Sequence, residues 1–96
     1  MKTKPEILVR EMGHVVEFYV KVRESEKSVW LQKVGTRTRK GSILNNGHEW
    51  EVLPDLSVKD GEVFRKLKTP QGRVKMGQYD FLQPYKQGNK YTERNF

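Results

Sequence analysis

The chain has 96 residues, no cysteine and a formal net charge of +7, from 19 Lys and Arg against 12 Asp and Glu. This length allows one domain with one modest core, and the lack of cysteine excludes disulfide frameworks and thiolate metal sites. Because no apolar run approaches the roughly 18 residues that span a bilayer, we expect neither a transmembrane helix nor a secretory signal, and a cytoplasmic location.

Alternating side chains predict a first hairpin, which follows an N-terminal arm or short edge strand at residues 1–13. Residues 14–22, HVVEFYVKV, are typical of a strand with one buried face. The pattern places Val16, Phe18, Val20 and Val22 on one face and Val15, Glu17, Tyr19 and Lys21 on the other. The polar stretch RESEK then predicts a turn, and residues 28–34, SVWLQKV, predict a second strand.

The next segment is a predicted basic loop at residues 33–42, KVGTRTRKGS, which carries four cations and no carboxylate. Its glycines would allow the backbone to bend toward a ligand. Arg37 and Arg39 can each grip a phosphate through two donors, and they would point the same way if the segment were extended. The alternative is a flexible basic loop without a partner.

The clearest hairpin signal is Asn46-Gly47, which suits a two-residue type I′ turn. In the register that this turn sets, Ile43 lies opposite Trp50. Trp50 is then expected to face the core, while Glu51 is expected to point to water.

A third hairpin is predicted at residues 62–76, around the turn TPQG at 69–72. Proline at the second position and glycine at the fourth are typical of a type I turn. The favoured register pairs Leu67 with Val74. A bulged alternative would pair Leu67 with Lys75, which mixes apolar and charged positions, so it is disfavoured.

The favoured register also places like charges opposite each other, with Lys68 facing Arg73 and Lys66 facing Lys75. Each such pair costs up to roughly 1 kcal/mol, an expense that folding alone does not explain. A bound phosphate backbone would explain it, because each contacted phosphate releases condensed counterions. An edge strand protected from aggregation by lysines is the alternative.

Short strands, tight hairpins and basic loops over residues 14–85 resemble the small SH3-like or OB-like barrels, such as the KOW and Tudor-type modules. We therefore expect a single all-β domain at 14–85, with an antiparallel sheet of five or six short strands in a partly open barrel. Residues 86–96 are expected to form a polar C-terminal tail. Size and charge also resemble the short accessory proteins of tailed bacteriophages, some of which bind nucleic acid or disable host factors.

The leading hypothesis is a small, basic, non-enzymatic protein that binds nucleic acid, RNA or single-stranded DNA, mainly through phosphate contacts. The expected phosphate-binding residues form two arms: Lys33, Arg37, Arg39 and Lys40 in the first, and Lys66, Lys68, Arg73 and Lys75 in the second. The candidates for base stacking are Tyr19, Trp30, Phe64 and Tyr79. Core packing is an equally good explanation for Trp30. We expect no cofactor, no membrane partner, and a monomer or homodimer.

Two alternatives remain open. The first is an interaction or inhibitor protein that docks on a host protein or ribonucleoprotein, which the net charge of −4 over residues 41–64 favours. The second is a small metal-independent ribonuclease, in which His48 beside Glu49 would transfer protons. No P-loop, dinucleotide or nucleophile-elbow motif is present, and neither His14 nor His48 has neighbours at metal-ligand spacing, so no metal site is predicted.

Overall fold

The structure, a computed structural model, describes residues 6–12, 15–44, 49–77, 80–86 and 91–94, and describes side chains in these ranges except at 39–44, 49 and 94. The described secondary structure is entirely β. Its eight strands are β1 (Ile7–Met12), β2 (Val15–Glu24), β3 (Ser28–Leu44), β4 (Glu49–Lys59), β5 (Phe64–Leu67), β6 (Val74–Lys75), β7 (Phe81–Pro84) and β8 (Thr92–Arg94). The all-β prediction is confirmed, but the expected five or six strands were too few. Within the described ranges, no helix is long and apolar enough to cross a membrane.

The strands form an antiparallel sheet in the order β6-β7-β1-β2-β3-β4-β8, with β5 paired to β3 beside this path. The order has two ends, so the sheet is not closed. Strand β1, in the region predicted as an arm or edge strand, has β2 and β7 as neighbours. Strand β8 lies in the predicted polar tail and pairs with β4.

Strand β3 organises the sheet because it is 17 residues long and pairs with three others. Its first half lies between β2 and β5, and its second half pairs with β4. The basic segment 33–42 is part of this strand, so the predicted loop was wrong. Val34, Thr36 and Thr38 occupy every second position and favour extended backbone, and β4 supplies the pairing partner.

Alternate residues of β1 and β2 enter two cores on opposite faces of the sheet. The first core contains Val9, Val16, Phe18, Val20, Val34, Val52 and Tyr91. The second core contains Leu8, Tyr19, Val29, Leu31, Val74 and Leu82. Tyr19 is only 5% exposed, which contradicts its expected place on a solvent-facing surface. The face that looked polar in sequence is covered by residues from the TPQG hairpin and β7.

The second hairpin has the predicted register, because Ile43 lies opposite Trp50. Trp50 is partly buried against the first core, in agreement with the prediction. Glu51 was expected to point to water but is 7% exposed, since β8 pairs with this part of β4. The Asn46-Gly47 turn lies outside the described residues.

The TPQG turn forms, but with the disfavoured register. The Gly72 N–H donates to the Thr69 carbonyl at 2.8 Å, and Gly72 has a φ of 81°. A left-handed glycine directly after such a turn produces a G1 bulge, which adds one residue to the returning strand. Thr69 N therefore donates to the Arg73 carbonyl at 2.7 Å, and Lys68 bridges Val74. The predicted pairing of Lys68 with Arg73 was wrong.

The predicted pair of Lys66 with Lys75 is also absent. Lys66 lies opposite Val29 of β3, and Lys75 lies opposite Phe81 of β7. The fold therefore does not place these like charges opposite each other, so no repulsion between them has to be explained by a bound phosphate backbone.

Candidate functional site

Lys33, from the first predicted arm, is engaged within the protein. Its Nζ lies 3.1 Å from Oε2 of Glu17 and 3.4 Å from Oδ2 of Asp60. The hydrogen bond to Glu17 raises the pKa of Lys33, although burial opposes the rise. Because two carboxylates offset the charge of Lys33, the local potential attracts a phosphate only weakly.

Arg37, from the same arm, is exposed on β3. The side chains of Arg39 and Lys40 lie outside the described part of the chain. Along β3, eight residues separate Arg37 from Val29, the residue opposite Lys66. At about 3.3 Å per residue this is about 26 Å along the strand, so Arg37 does not form one compact site with Lys66.

In the second arm, Lys68 forms an ion pair within the described residues and the other three cations do not. Lys68 Nζ lies 2.6 Å from Oε2 of Glu24 and donates to the Ser25 carbonyl at 2.8 Å. Lys66, Arg73 and Lys75 form no ion pair with the residues that the structure describes. The Arg73 guanidinium lies 4.3 Å from the ring centroid of Phe81.

The fold adds basic residues that sequence reasoning missed. Lys68 N donates to the Lys27 carbonyl at 2.8 Å, so the β2–β3 turn lies against the TPQG hairpin. Pairing of β5 with β3 adds Arg65, and pairing of β2 with β3 adds Arg23, both on the opposite face from Lys66. The resulting basic cluster comprises Arg23, Lys27, Arg65, Lys66, Lys68, Arg73 and Lys75. No local pattern signals this grouping, because it depends on the unpredicted β3–β5 pairing.

Within the basic cluster, Arg23, Trp30 and Arg65 form a row across three neighbouring strands. Arg23 of β2 lies opposite Trp30 of β3, and Trp30 lies opposite Arg65 of β5. The Arg23 guanidinium is 4.7 Å from the Trp30 ring centroid, in cation–π contact. Trp30 is half-buried, while Arg23 and Arg65 are exposed.

A β-bulge places Arg23 in this row. The register shifts between Lys21, which lies opposite Leu31, and Arg23, which lies opposite Trp30. Val22 is therefore the extra residue, and it is 54% exposed instead of buried as predicted. Bulges commonly redirect a side chain in this way. Without the bulge Val22 would lie opposite Trp30, and with the bulge Arg23 takes that position.

Two of the other predicted stacking residues, Tyr19 and Phe64, pack in or against the second core. Tyr19 is buried and donates its hydroxyl hydrogen to Oε1 of Glu17 at 2.9 Å. Phe64 packs on the second core, with its ring edge-on to Tyr19 at 5.8 Å between centroids. Tyr79 lies outside the described residues.

Glu17 is the centre of a polar network on the sheet. It accepts from Tyr19 and Lys33, and the Arg10 guanidinium lies 3.5 Å away and also reaches Asp80 at 2.8 Å. Burial of Glu17 disfavours its charge, but these donors and cations outweigh burial and lower the pKa of Glu17. The network fixes β1, β2 and β3 to one another, and its charges largely cancel.

A cavity of about 470 Å³ lies between the second core and the TPQG hairpin. Leu8, Val29 and Leu82 contribute apolar lining, and Lys21, Lys68 and two glutamates surround the opening. The lysines and glutamates pair with one another, and Arg73, which also lines the cavity, forms no ion pair with a described residue.

No group of three or more metal-ligating side chains occurs among the described residues. His14 and His48, on which a ribonuclease would depend, lie outside them. Comparison with family models, curated proteins and solved structures found no match to this chain.

Proposed function

We propose that this protein binds nucleic acid, RNA or single-stranded DNA, without enzymatic activity and mainly through phosphate contacts at the basic cluster. The observation that carries the proposal is the grouping of cations from the β2–β3 turn, β5 and the TPQG hairpin. The nearby acidic residues are Glu24 and Glu26 in the adjoining turn and Glu6 in the cavity lining; Glu24 pairs with Lys21 and Lys68, and Glu6 pairs with Lys21. Grouped cations with few counter-charges create a positive surface potential that attracts a polyanion.

The types of side chain also suit phosphate. Arg23, Arg65 and Arg73 are exposed, and a guanidinium can donate two parallel hydrogen bonds to one phosphate. Such contacts carry no sequence information, so little sequence preference follows. The expected resemblance to partly open SH3-like or OB-like barrels belongs to this proposal, since modules of that type bind single strands on a sheet face.

Salt-dependent binding tests the proposal. Affinity for single-stranded RNA, single-stranded DNA and duplex DNA of equal length is measured by fluorescence anisotropy from 20 to 200 mM salt. We expect log K to fall linearly with log salt, with a slope of about −0.7 for each phosphate contacted on a single strand. Absence of binding to all three at low salt would refute the proposal.

A matched pair of variants tests the location of the site. Lys75→Glu reverses a charge in the basic cluster, and Lys59→Glu reverses the charge of another exposed strand lysine outside it. We expect Lys75→Glu to weaken binding roughly tenfold and to flatten the salt slope by about one phosphate. Lys59→Glu is expected to change affinity much less, and equal effects would place the site elsewhere. RNA is expected to remain intact, whereas cleavage lost on His48→Ala would support the ribonuclease alternative.

A second candidate function is docking on another protein. Val22, Val63 and Leu67 are 54%, 45% and 66% exposed and lie beside the row of Arg23, Trp30 and Arg65. Exposed apolar residues around tryptophan and arginine are typical of protein interfaces. The interaction or inhibitor hypothesis predicts that this protein binds a host protein and that the binding survives nuclease treatment. It also predicts that Leu67→Asp abolishes the binding. Loss of that binding on nuclease treatment would contradict it.

A further inference from the structure

We infer that Trp30 is a stacking platform for an unpaired base, so that the protein selects single strands over duplexes. This inference rests on the proposed function and names the form of nucleic acid that is bound at the row of Arg23, Trp30 and Arg65, on the opposite face of β5 from Lys66. Arg23 and Arg65 would then contact the phosphates on either side of the base. Neither arginine was among the phosphate-binding residues predicted from the sequence.

Trp30 is not needed by either core. Of the described aromatic residues, Trp30 and Phe81 lie outside both cores, and each has an arginine over its ring. By contrast, Trp50 and Phe64 pack on the first and second core respectively. A half-buried tryptophan that fills neither core keeps part of its ring surface for a ligand.

The row is pre-organised by its strands. Trp30 lies on the central strand of three, with backbone pairing to β2 on one side and β5 on the other. Adjacent strands are about 4.8 Å apart, so Arg23 and Arg65 flank the indole at close range. Binding therefore orders little backbone, which keeps its entropic cost low.

The indole of Trp30 carries the Arg23 guanidinium over its ring. Arg23 covers one face at 4.7 Å, and no other aromatic ring in the described residues stacks on Trp30. A base can stack on the opposite face, while Arg65, which forms no ion pair with a described carboxylate, reaches the adjoining phosphate. In a duplex the bases are already stacked and paired, so they cannot reach a ring that projects from a sheet.

An abasic oligonucleotide separates stacking from phosphate binding. We compare a uridine 10-mer, an abasic 10-mer with the same phosphates, and a 10-base-pair duplex, each with the wild type and with Trp30→Leu. We expect the wild type to bind the uridine strand about tenfold more tightly than the abasic strand, and Trp30→Leu to bind both equally. Trp30→Phe is expected to retain most of the preference, and unfolding midpoints in urea confirm that each variant folds.

The fluorescence of Trp30 gives a direct readout. In a Trp50→Phe background Trp30 is the sole tryptophan, because the chain contains two. The uridine strand is expected to quench its emission, and the abasic strand is not.

Failure of this inference is distinct from failure of the proposed function. Binding to none of the three probes would refute the proposed function. Equal affinity of the wild type for the uridine and abasic strands would refute the stacking platform and leave phosphate binding in place. The exposed row would then be assigned to docking on a protein.

Discussion

Lys68 Nζ lies 2.6 Å from Oε2 of Glu24, which ties the TPQG hairpin to the end of β2. The other oxygen of the same carboxylate lies 3.1 Å from Lys21 Nζ. Hydrogen bonds from Lys68 and Lys21 lower the pKa of Glu24, so the carboxylate is ionised at neutral pH. Glu24 thus anchors the hairpin and also pairs with Lys68, a member of the basic cluster.

Glu24→Gln is expected to change stability and affinity in opposite directions. The carboxylate is 44% exposed, so losing its ion pairs should lower the free energy of unfolding by only about 0.5 kcal/mol. Release of Lys68 should raise affinity for single-stranded RNA roughly threefold at low salt. Urea unfolding and anisotropy measure the two effects.

Glu26→Gln is the control for this change, because Glu26 is exposed in the same turn and forms no ion pair with a described residue. Both variants add the same charge to the turn. If they raise affinity equally, the gain comes from net charge alone and not from the release of Lys68.

Tyr19→Phe is expected to destabilise the fold without weakening nucleic-acid binding. The hydroxyl donates to Glu17 at 2.9 Å from a buried ring, and its loss should cost about 1 kcal/mol of unfolding free energy. Because Tyr19 does not reach the surface, affinity for the uridine strand should stay within twofold of wild type. A tenfold loss of affinity in a folded Tyr19→Phe protein would show that the Tyr19 hydroxyl takes part in nucleic-acid binding.

Local patterns predicted the elements whose partners are close in sequence. The alternation in residues 14–22 gave β2, and the Asn46-Gly47 signal gave the register of Ile43 with Trp50. Pairing of β5 with β3 joins segments more than thirty residues apart and leaves no periodic trace in either. The G1 bulge at Gly72 depends on a backbone conformation that glycine permits but does not require.

The candidate site was only partly predictable for the same reason. Lys66, Arg73 and Lys75 could be found from charge and turn position. Lys33 pairs with Glu17 and Lys68 pairs with Glu24, and both carboxylates lie on β2. Counting charges along the sequence cannot show which carboxylate pairs with which lysine. The row of Arg23, Trp30 and Arg65 requires the bulge at Val22 and the non-local pairing of β5 with β3, and no sequence motif predicts either.

Gly35→Ala is expected to destabilise the junction between β3 and β4. A Cβ atom at this position would lie 2.9 Å from both Cβ and Cγ1 of Val58. Since Val58 Cβ moves only with its backbone, one strand must shift, and the cost should be about 1–3 kcal/mol of unfolding free energy. Urea unfolding measures it.

A double-mutant cycle identifies the clash as the cause. Val58→Gly removes both contacting atoms, so Gly35→Ala should cost less in that background than in the wild type. Strictly additive effects would mean that Val58 does not restrict Gly35.

Glu17 is expected to make the fold sensitive to acid. Its pKa is lowered in the folded protein, because donors and cations outweigh the effect of burial. A carboxylate with a lowered folded pKa binds protons more readily when unfolded, so its stabilisation is present above the ordinary value of about 4.3 and is lost as pH falls through the folded value. Glu17→Gln should therefore be less stable than wild type at pH 7, and the difference should narrow toward pH 3.

Urea midpoints at pH 7, 5, 4 and 3 measure this dependence. Glu11→Gln is the matched control, because Glu11 is an exposed carboxylate on the neighbouring strand β1 and forms no ion pair with a described residue. Its stability should follow that of the wild type at each pH. A Glu17→Gln penalty that stayed constant from pH 7 to pH 3 would mean that packing of the side chain, and not its charge, stabilises the network with Tyr19 and Lys33.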